Sequence, residues 1–190
     1  MQTKHLPIRV NCKRRLCGSA IATAALLALA TPGLSQEPSL PGGAASLREV
    51  HGDWTVACAI ENQNGKKAKS CLLSQVQFAK DTRQRVVAIE LRPATGGLKG
   101  VLLLPFGLAL EKGVTYQLDE GPPGGVQRFR TCLPAGCIVT VDFDTRLVNS
   151  LKSGKLLRIR ATAEGGQDMT FSIPLNGFPG AFDRTVALLR

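Results

Sequence analysis

Beyond position 30, few residues of this chain could do chemistry. They are four cysteines (Cys58, Cys71, Cys132 and Cys137), a single histidine (His51), and two carboxylates placed two residues apart (Asp142 and Asp144). A serine or cysteine nucleophile needs a base within hydrogen-bond reach, so one histidine would have to fill that role alone. His51 stands before Gly52-Asp53, a context that reads as a turn or surface position. One histidine also rules out a histidine-rich metal site. Asp142 and Asp144 alternate with Val141 and Phe143, which puts both carboxylates on one strand face. Such a pair could act as acid and base or hold calcium. With Arg146 close by, the plainer reading is a solvated strand end. Asp119-Glu120 reads as part of a turn, and no glycine-rich phosphate loop leads from a strand into a helix. These residues specify no catalytic set, no cofactor and no metal.

The four cysteines read as two disulfides, because their number is even and an exported chain meets an oxidising compartment. Three connectivities are possible. The local one, Cys58–Cys71 with Cys132–Cys137, is favoured because each pair is near in sequence. Loop-closure entropy gives about 3 kcal/mol for the longer loop and about 2 kcal/mol for the shorter. The rival is a four-cysteine zinc site. Its usual spacing is C-x2-C, which neither the twelve-residue gap nor the intervening Leu133–Gly136 segment matches.

Basic residues form the third constellation. Arg128 and Arg130 share one strand face, as do Arg158 and Arg160, and Lys66, Lys67 and Lys69 crowd one loop. If these faces adjoin, they form an anion patch for lipid head groups, polyanionic glycans or nucleic acid. Phe129 is the one aromatic residue among them, too little for base stacking, so no nucleic-acid partner is expected. The competing reading is a charged face turned to water, with edge cations that block aggregation, and it is the one preferred.

The elements that must position these residues follow from the rest of the chain. With 190 residues, 44% hydrophobic and 20% charged, it can bury one core. Residues 1–30 combine Lys4, Arg9, Lys13, Arg14 and Arg15 with an apolar run from Ile21 and a closing Ala28-Leu29-Ala30. That is the pattern of a secretory signal peptide, too short for a membrane span. Cleavage is expected after Ala30, or else after Ser35. Arg14-Arg15 lacks the rest of a twin-arginine motif. Cys17 precedes the apolar run, where a lipidated cysteine would follow it. The first thirty residues hold five of the 24 basic residues and none of the 14 acids, so the formal charge falls from +10 to +5 without them. No other stretch is apolar and long enough to span a membrane.

Residues 31–48, rich in Pro, Gly and Ser, read as a flexible leader. From 49 to 190 a single domain is expected. Period-two alternation recurs at Trp54–Ile60, Leu72–Phe78, Val87–Leu91, Val114–Leu118, Val126–Thr131, Cys137–Phe143, Leu156–Ala163 and Met169–Leu175. Val101–Leu104 is apolar on both faces and reads as a strand covered on both sides. Asn62–Lys69 reads as a loop and Gly121–Gly125 (GPPGG) as a breaker. The connections are too short for parallel crossovers. The fold class is therefore all-β, a mainly antiparallel β-sandwich or partly closed barrel of about nine strands. Leu147–Lys152 reads as one or two helical turns. Phe178, Phe182, Val186 and Leu189 mark one face of a short C-terminal helix that docks on the sandwich.

Five segments carry a family resemblance: HGDWTVAC (51–58), LLLPFGLALEKGVTYQLDEG (102–121), RTCLPAGCIVTVDF (130–143), LKSGK (151–155) and IPLNGFPGAF (173–182). In this order they resemble the invasion-associated locus B family of exported bacterial proteins. The match includes Trp54, Cys58, Cys132 and Cys137. The resemblance implies a periplasmic or envelope protein of a Gram-negative bacterium with a β-sandwich-like domain, and it supplies no catalytic residues. The expected function is non-enzymatic: binding to an unidentified protein or envelope component, in the periplasm or at the cell surface, with an association to virulence or host-cell invasion. Two alternatives are a sandwich that binds an anionic small molecule or lipid, and a hydrolase using Asp142, Asp144 or His51.

Overall fold

The computed structural model describes residues 37–190. Its strands form two antiparallel sheets. The larger contains β1 (Ser46–His51), β2 (Trp54–Gln63), β3 (Lys66–Phe78), β4 (Arg85–Ala94), β5 (Gly97–Leu104), β7 (Phe129–Leu133) and β8 (Gly136–Asp144), in the order β1-β2-β3-β4-β5-β8-β7. The smaller contains β6 (Val114–Leu118), β9 (Leu156–Thr162) and β10 (Asp168–Pro174), in the order β10-β9-β6. Two helices complete the domain, α1 (Thr145–Ser153) and α2 (Phe178–Leu189).

Strict alternation decides which side of each strand is inside. Across the large sheet, Val56 pairs with Leu73, Leu73 with Leu91, Ile89 with Leu102 and Leu102 with Val139, so one face carries an unbroken apolar layer. Leu157, Ile159, Phe171 and Ile173 of the small sheet join the same buried cluster. The result is the antiparallel two-sheet sandwich expected from the sequence. The Pro174 carbonyl, at the end of β10, helps to hold the layers together by accepting from Trp54 Nε1 at 3.1 Å and from the buried Gln75 Nε2 at 2.8 Å.

Several local expectations change. Among the described residues ten strands form rather than nine, and the additional one is β1, whose six residues all pair with β2. It begins at Ser46, inside the stretch read as a flexible leader. Leu40, in the same stretch, is 2% exposed and belongs to the core. An apolar side chain among Pro, Gly and Ser residues is enough to plug an open core edge. Residues 1–30, read as a signal peptide, lie outside the described residues. The loop read at Asn62–Lys69 shrinks to Asn64-Gly65, since β2 and β3 remain paired from Gln63 and Lys66 onward. Both turn residues have positive φ, 54° and 80°, as a two-residue hairpin turn requires and as Asn-Gly favours. Val101 and Leu103 are only half-buried, so β5 is not covered on both sides. Their cross-strand neighbours Glu90, Ala88, Thr140 and Ile138 shield them laterally on an otherwise open face.

The helices follow the same logic. Asp144 caps α1 by accepting from Leu147 N at 2.7 Å, and Val148 and Leu151 face the core. In α2 the buried face is Phe178, Ala181, Thr185 and Leu188, rotated from the stripe the large residues suggested. Phe182, Val186 and Leu189 flank it, half-buried. Small Ala181 permits close approach. Thr185 becomes acceptable inside because its hydroxyl donates to Ala181 O at 2.7 Å.

Candidate functional site

The cysteines are used structurally. Cys58 and Cys71 face each other across β2 and β3 and are disulfide-bonded, and Cys132 and Cys137 do the same across β7 and β8. The favoured connectivity is the one formed, which leaves none of these four cysteines as a thiolate for zinc. Among the described residues no group of three or more His, Cys, Asp and Glu side chains could hold a metal ion.

His51 ends β1, half-buried, with Nε2 3.2 Å from Glu49 Oε2. Glu49 is also gripped by Arg184 of α2, which donates from Nε at 2.8 Å and from Nη2 at 2.7 Å. This two-pronged pair joins residues 135 apart in sequence and clamps α2 against β1. Hydrogen bonding to Arg184 is the main reason the Glu49 carboxyl is held down to about 2; the partial burial opposes the shift and His51 adds to it. No pattern in the sequence marks Glu49 or Arg184, because neither is unusual in its own segment.

The carboxylates read as a possible acid–base pair are separately engaged. Asp142 forms an exposed ion pair with Lys99 at 3.1 Å, its cross-strand partner in β5. Asp144 is the α1 cap. Asp119 accepts from the backbone of Lys155 at 3.0 Å and Leu156 at 2.9 Å, tying the end of β6 to the start of β9. None of these arrangements places a free carboxylate opposite another.

The four arginines divide between the sheets. Arg130 lies in β7 at the edge of the large sheet, and Arg128 stands just before that strand. Arg158 and Arg160 lie on the outward side of β9, between β6 and β10. Arg158 donates to the Asp119 carbonyl and, at 2.9 Å, to Glu120 Oε1, so much of its charge is answered locally. Arg160 lines an open groove of about 240 Å³ with Lys112, Thr115, Thr170 and Asp168. Thr115 and Thr170 are its partners on the two adjoining strands. The groove gathers two cations, one acid and several hydroxyls, a set suited to an anionic group.

Sequence reasoning passed over Tyr116. It belongs to the inward layer of β6 and meets Phe143 edge to face at 5.5 Å. Its hydroxyl is buried and has no hydrogen-bond partner in the protein. Being the chain's single tyrosine was the available signal, but nothing in sequence tells whether a buried hydroxyl finds a partner.

Comparisons with known proteins agree with this fold and its motifs. The family model for the invasion associated locus B (IalB) protein matches residues 54–186. An invasion protein B homologue of Brucella abortus (strain 2308) is 44% identical over 154 residues, covering 80% of this chain and 86% of that protein. Invasion protein B of Bartonella bacilliformis is 31% identical over 153 residues, covering 79% and 80%. The crystal structure of invasion associated protein B from Bartonella henselae superposes with a TM-score of 0.67 at 36% identity, covering 75% of this chain and 96% of that one. A β-rich domain with these motifs in this order, matched along most of its length by sequence and by structure, belongs to the invasion associated locus B family.

Proposed function

We propose that this protein is exported to the bacterial envelope and acts there by non-covalent binding, without catalysis. The observation that carries the reading is that the side chains most able to do chemistry are already committed to holding the fold. All four described cysteines are in disulfides, His51 contacts Glu49, Asp142 pairs with Lys99 and Asp144 caps α1. Two disulfides in so small a domain fit an oxidising compartment. The basic and apolar pattern of residues 1–30 fits export. Among the described residues no helix is long and apolar enough to cross a membrane. Relatives named for invasion support a virulence-associated role at the family level.

Fractionation of the native host, with alkylation of free thiols and mass spectrometry, tests location. The expected product starts between residues 31 and 36, occurs in the periplasmic fraction and has no alkylated cysteine. A full-length cytoplasmic chain with reduced thiols would overturn the reading. Cross-linking in intact cells then tests binding, with an envelope component recovered at fixed stoichiometry as the expected result.

The Arg160 groove favours a second reading, capture of an anionic small molecule or lipid head group. Binding there would weaken as salt rises. It would also drop in Arg160→Ala, while Arg128→Ala would leave it unchanged.

A further inference from the structure

Exposed apolar side chains are ordinary on a protein surface when each stands alone. On this domain they gather. β3, β4, β5, β8 and β7 are successive neighbours in the large sheet, and their pairing brings the end of β3, the start of β4, the end of β5, the start of β8 and the end of β7 to one rim. Phe78 closes β3, Phe106 follows β5 and Leu133 closes β7. They are 59%, 60% and 50% exposed. Register carries the apolar surface back from the rim. Val76 pairs with Ala88, Ala88 with Leu103 and Leu103 with Ile138, all on the face turned away from the core. Along β4 that face holds Val86 and Ala88 and reaches its next charge at Glu90. At about 3.4 Å per residue, the uncharged band from Val86 to Ala88 is about 7 Å deep.

The rim is held in place before anything touches it. Ala79 N donates to Gln84 O at 2.8 Å and Arg83 N to Ala79 O at 3.0 Å, which folds the β3–β4 loop on itself. Arg85 donates to Ala135 O, over the end of β5, and so joins that loop to the β7–β8 turn. The Cys132–Cys137 disulfide staples the turn next to Leu133. Fixed side chains lower the ordering cost of binding.

Charge indicates what covers this rim. Lys80, Arg83 and Arg85 are exposed, and among the described residues none of them is in an ion pair. Asp81 is the one acid of their loop. Arg130 of β7, Asp53 of the β1–β2 turn and Glu164, whose N donates to Gly107 O at 2.8 Å, flank the rim. A second copy seated rim to rim would bring the cations of one loop toward those of the other, which is unfavourable. A phospholipid leaflet offers the complementary layers: anionic phosphates for the cations and acyl chains beneath them for Phe and Leu. Lys and Arg keep their heads at the phosphates while their stems lie along apolar surface. The depth of the band matches the roughly 5–10 Å to which interfacial apolar faces sink.

We propose that this rim docks the domain on an anionic phospholipid surface, with Phe78, Phe106 and Leu133 entering the acyl boundary and Lys80, Arg83 and Arg85 engaging the phosphates. The site is separate from the Arg160 groove. It rests on the exported-binding reading only for the leaflet it would meet in the cell. The binding itself belongs to the folded domain, so a cytoplasmic location would sink that reading and leave binding to vesicles intact.

The test is co-sedimentation of the protein recovered from its host, disulfides intact, with vesicles of pure phosphatidylcholine and with vesicles in which about a third of the lipid is phosphatidylglycerol. Binding is expected to the anionic vesicles and should fall as salt rises. Lys80→Ala with Arg83→Ala should weaken it about twentyfold, at about fivefold per cation. Phe78→Ser with Phe106→Ser should weaken it about tenfold or more. Arg160→Ala should leave it unchanged. All four replaced rim residues are exposed, so each double variant should keep the wild-type urea midpoint. Phe106→Trp adds a reporter at the rim, whose emission should move to the blue on anionic vesicles and be quenched by brominated acyl chains, unlike that of the buried Trp54. Failure to bind anionic vesicles, equal binding to both kinds, or binding indifferent to either double variant would overturn the proposal. So would a rim tryptophan that brominated lipid does not quench. A wild-type dimer that Phe78→Ser with Phe106→Ser turns into a monomer, with no vesicle binding, would assign the rim to a second copy and overturn it as well.

Discussion

Where its strands β10 and β6 finish, the small sheet has a closed end on the β10 flank and an open end on the β6 flank, and the two are built on opposite terms. At one end the β1–β2 turn meets the start of α2, and nothing there is loose. A Cβ on Gly177 would lie 1.9 Å from His51 O, and one on Gly52 would lie 2.7 Å from Asn176 O. Asp53 N donates to Asn176 O at 3.0 Å, Glu49 holds Arg184 with two hydrogen bonds, and Trp54 stacks edge to face on Phe178 at 5.0 Å. At the other the Gly121–Gly125 loop roofs a cavity of about 250 Å³ lined from β6, β8, α1 and β9. A Cβ on Gly125 would meet nothing within 4 Å, and the Tyr116 hydroxyl has no partner. The conspicuous motifs HGDW and NGFPG therefore mark a steric seam. Their glycines are where two backbones touch, and their histidine is a contact of a structural carboxylate.

Breaking the seam should have the largest effect. Gly177 has φ +85°, a region costly for side-chain-bearing residues, and its substitution also drives a carbon into a carbonyl. Gly177→Ala should destabilise by more than about 3 kcal/mol, or prevent folding, because neither the turn nor α2 can retreat without exposing Trp54 and Phe178. Gly125→Ala at the open end should stay within about 0.5 kcal/mol of wild type. Urea unfolding of both variants decides it. Similar losses in the two would erase the contrast between the ends.

The disulfides sharpen it next. Replacing Cys58 and Cys71 together should cost about 3 kcal/mol, and replacing Cys132 and Cys137 about 2 kcal/mol, from the lengths of the loops they close. Cys58 and Cys71 are 4% and 3% exposed, while Cys132 is half-exposed at a sheet edge. Mild reductant should therefore open Cys132–Cys137 first. Timed alkylation with peptide mapping reads the order, and the reverse order would contradict the burial argument.

A smaller effect separates the ends by pH. Glu49 titrates near 2 in the folded state against an ordinary 4.5, so the folded state favours its charged form. The sign follows: the pair's contribution is present above about pH 4.5 and is lost as pH falls toward 2. Exposure and salt screening keep it to at most about 1 kcal/mol. Glu49→Gln should lower stability at pH 7 and flatten the acid limb of the pH–stability curve. An unchanged acid limb would show that the Glu49 carboxyl does not contribute to it.

How far the sequence could be read differs between the same two regions. Alternation in β2, β4, β8 and β9 announced the strands, cysteine spacing announced the pairs, and Gly177-Phe178-Pro179 announced the start of α2. These signals are local, and the physics behind them acts within a few residues. Where partners are distant, the signal vanished. Glu49–Arg184 spans 135 residues, and Leu40 enters the core from a stretch whose composition suggests a leader. The cavity was invisible for the same reason. Its walls come from four separate elements, β6, β8, α1 and β9.

The unpaired Tyr116 hydroxyl leads to the smallest effect, and the one that tests the open end most directly. Tyr116→Phe removes only the hydroxyl. If the group has no protein partner, its removal loses no hydrogen bond and relieves a desolvated donor, so the variant should be as stable as wild type or up to about 1 kcal/mol more stable at pH 7. Trp54→Phe, at the closed end, gives up the bond to Pro174 O and should be clearly less stable. The phenol also has a sign of its own. Burial raises its pKa in the folded state above 10.0, so the folded state disfavours the phenolate. That contribution is whole below about pH 10 and is lost as pH rises further, because the unfolded chain releases its proton first. Wild type should therefore lose stability above pH 10 more steeply than Tyr116→Phe. With one tyrosine in the chain, phenolate absorbance reports ionisation at this residue alone, and it should rise only as the protein unfolds. A hydroxyl that ionises freely in the folded state, or a variant weaker by more than about 1 kcal/mol, would mean that this end is as fully bonded as the other.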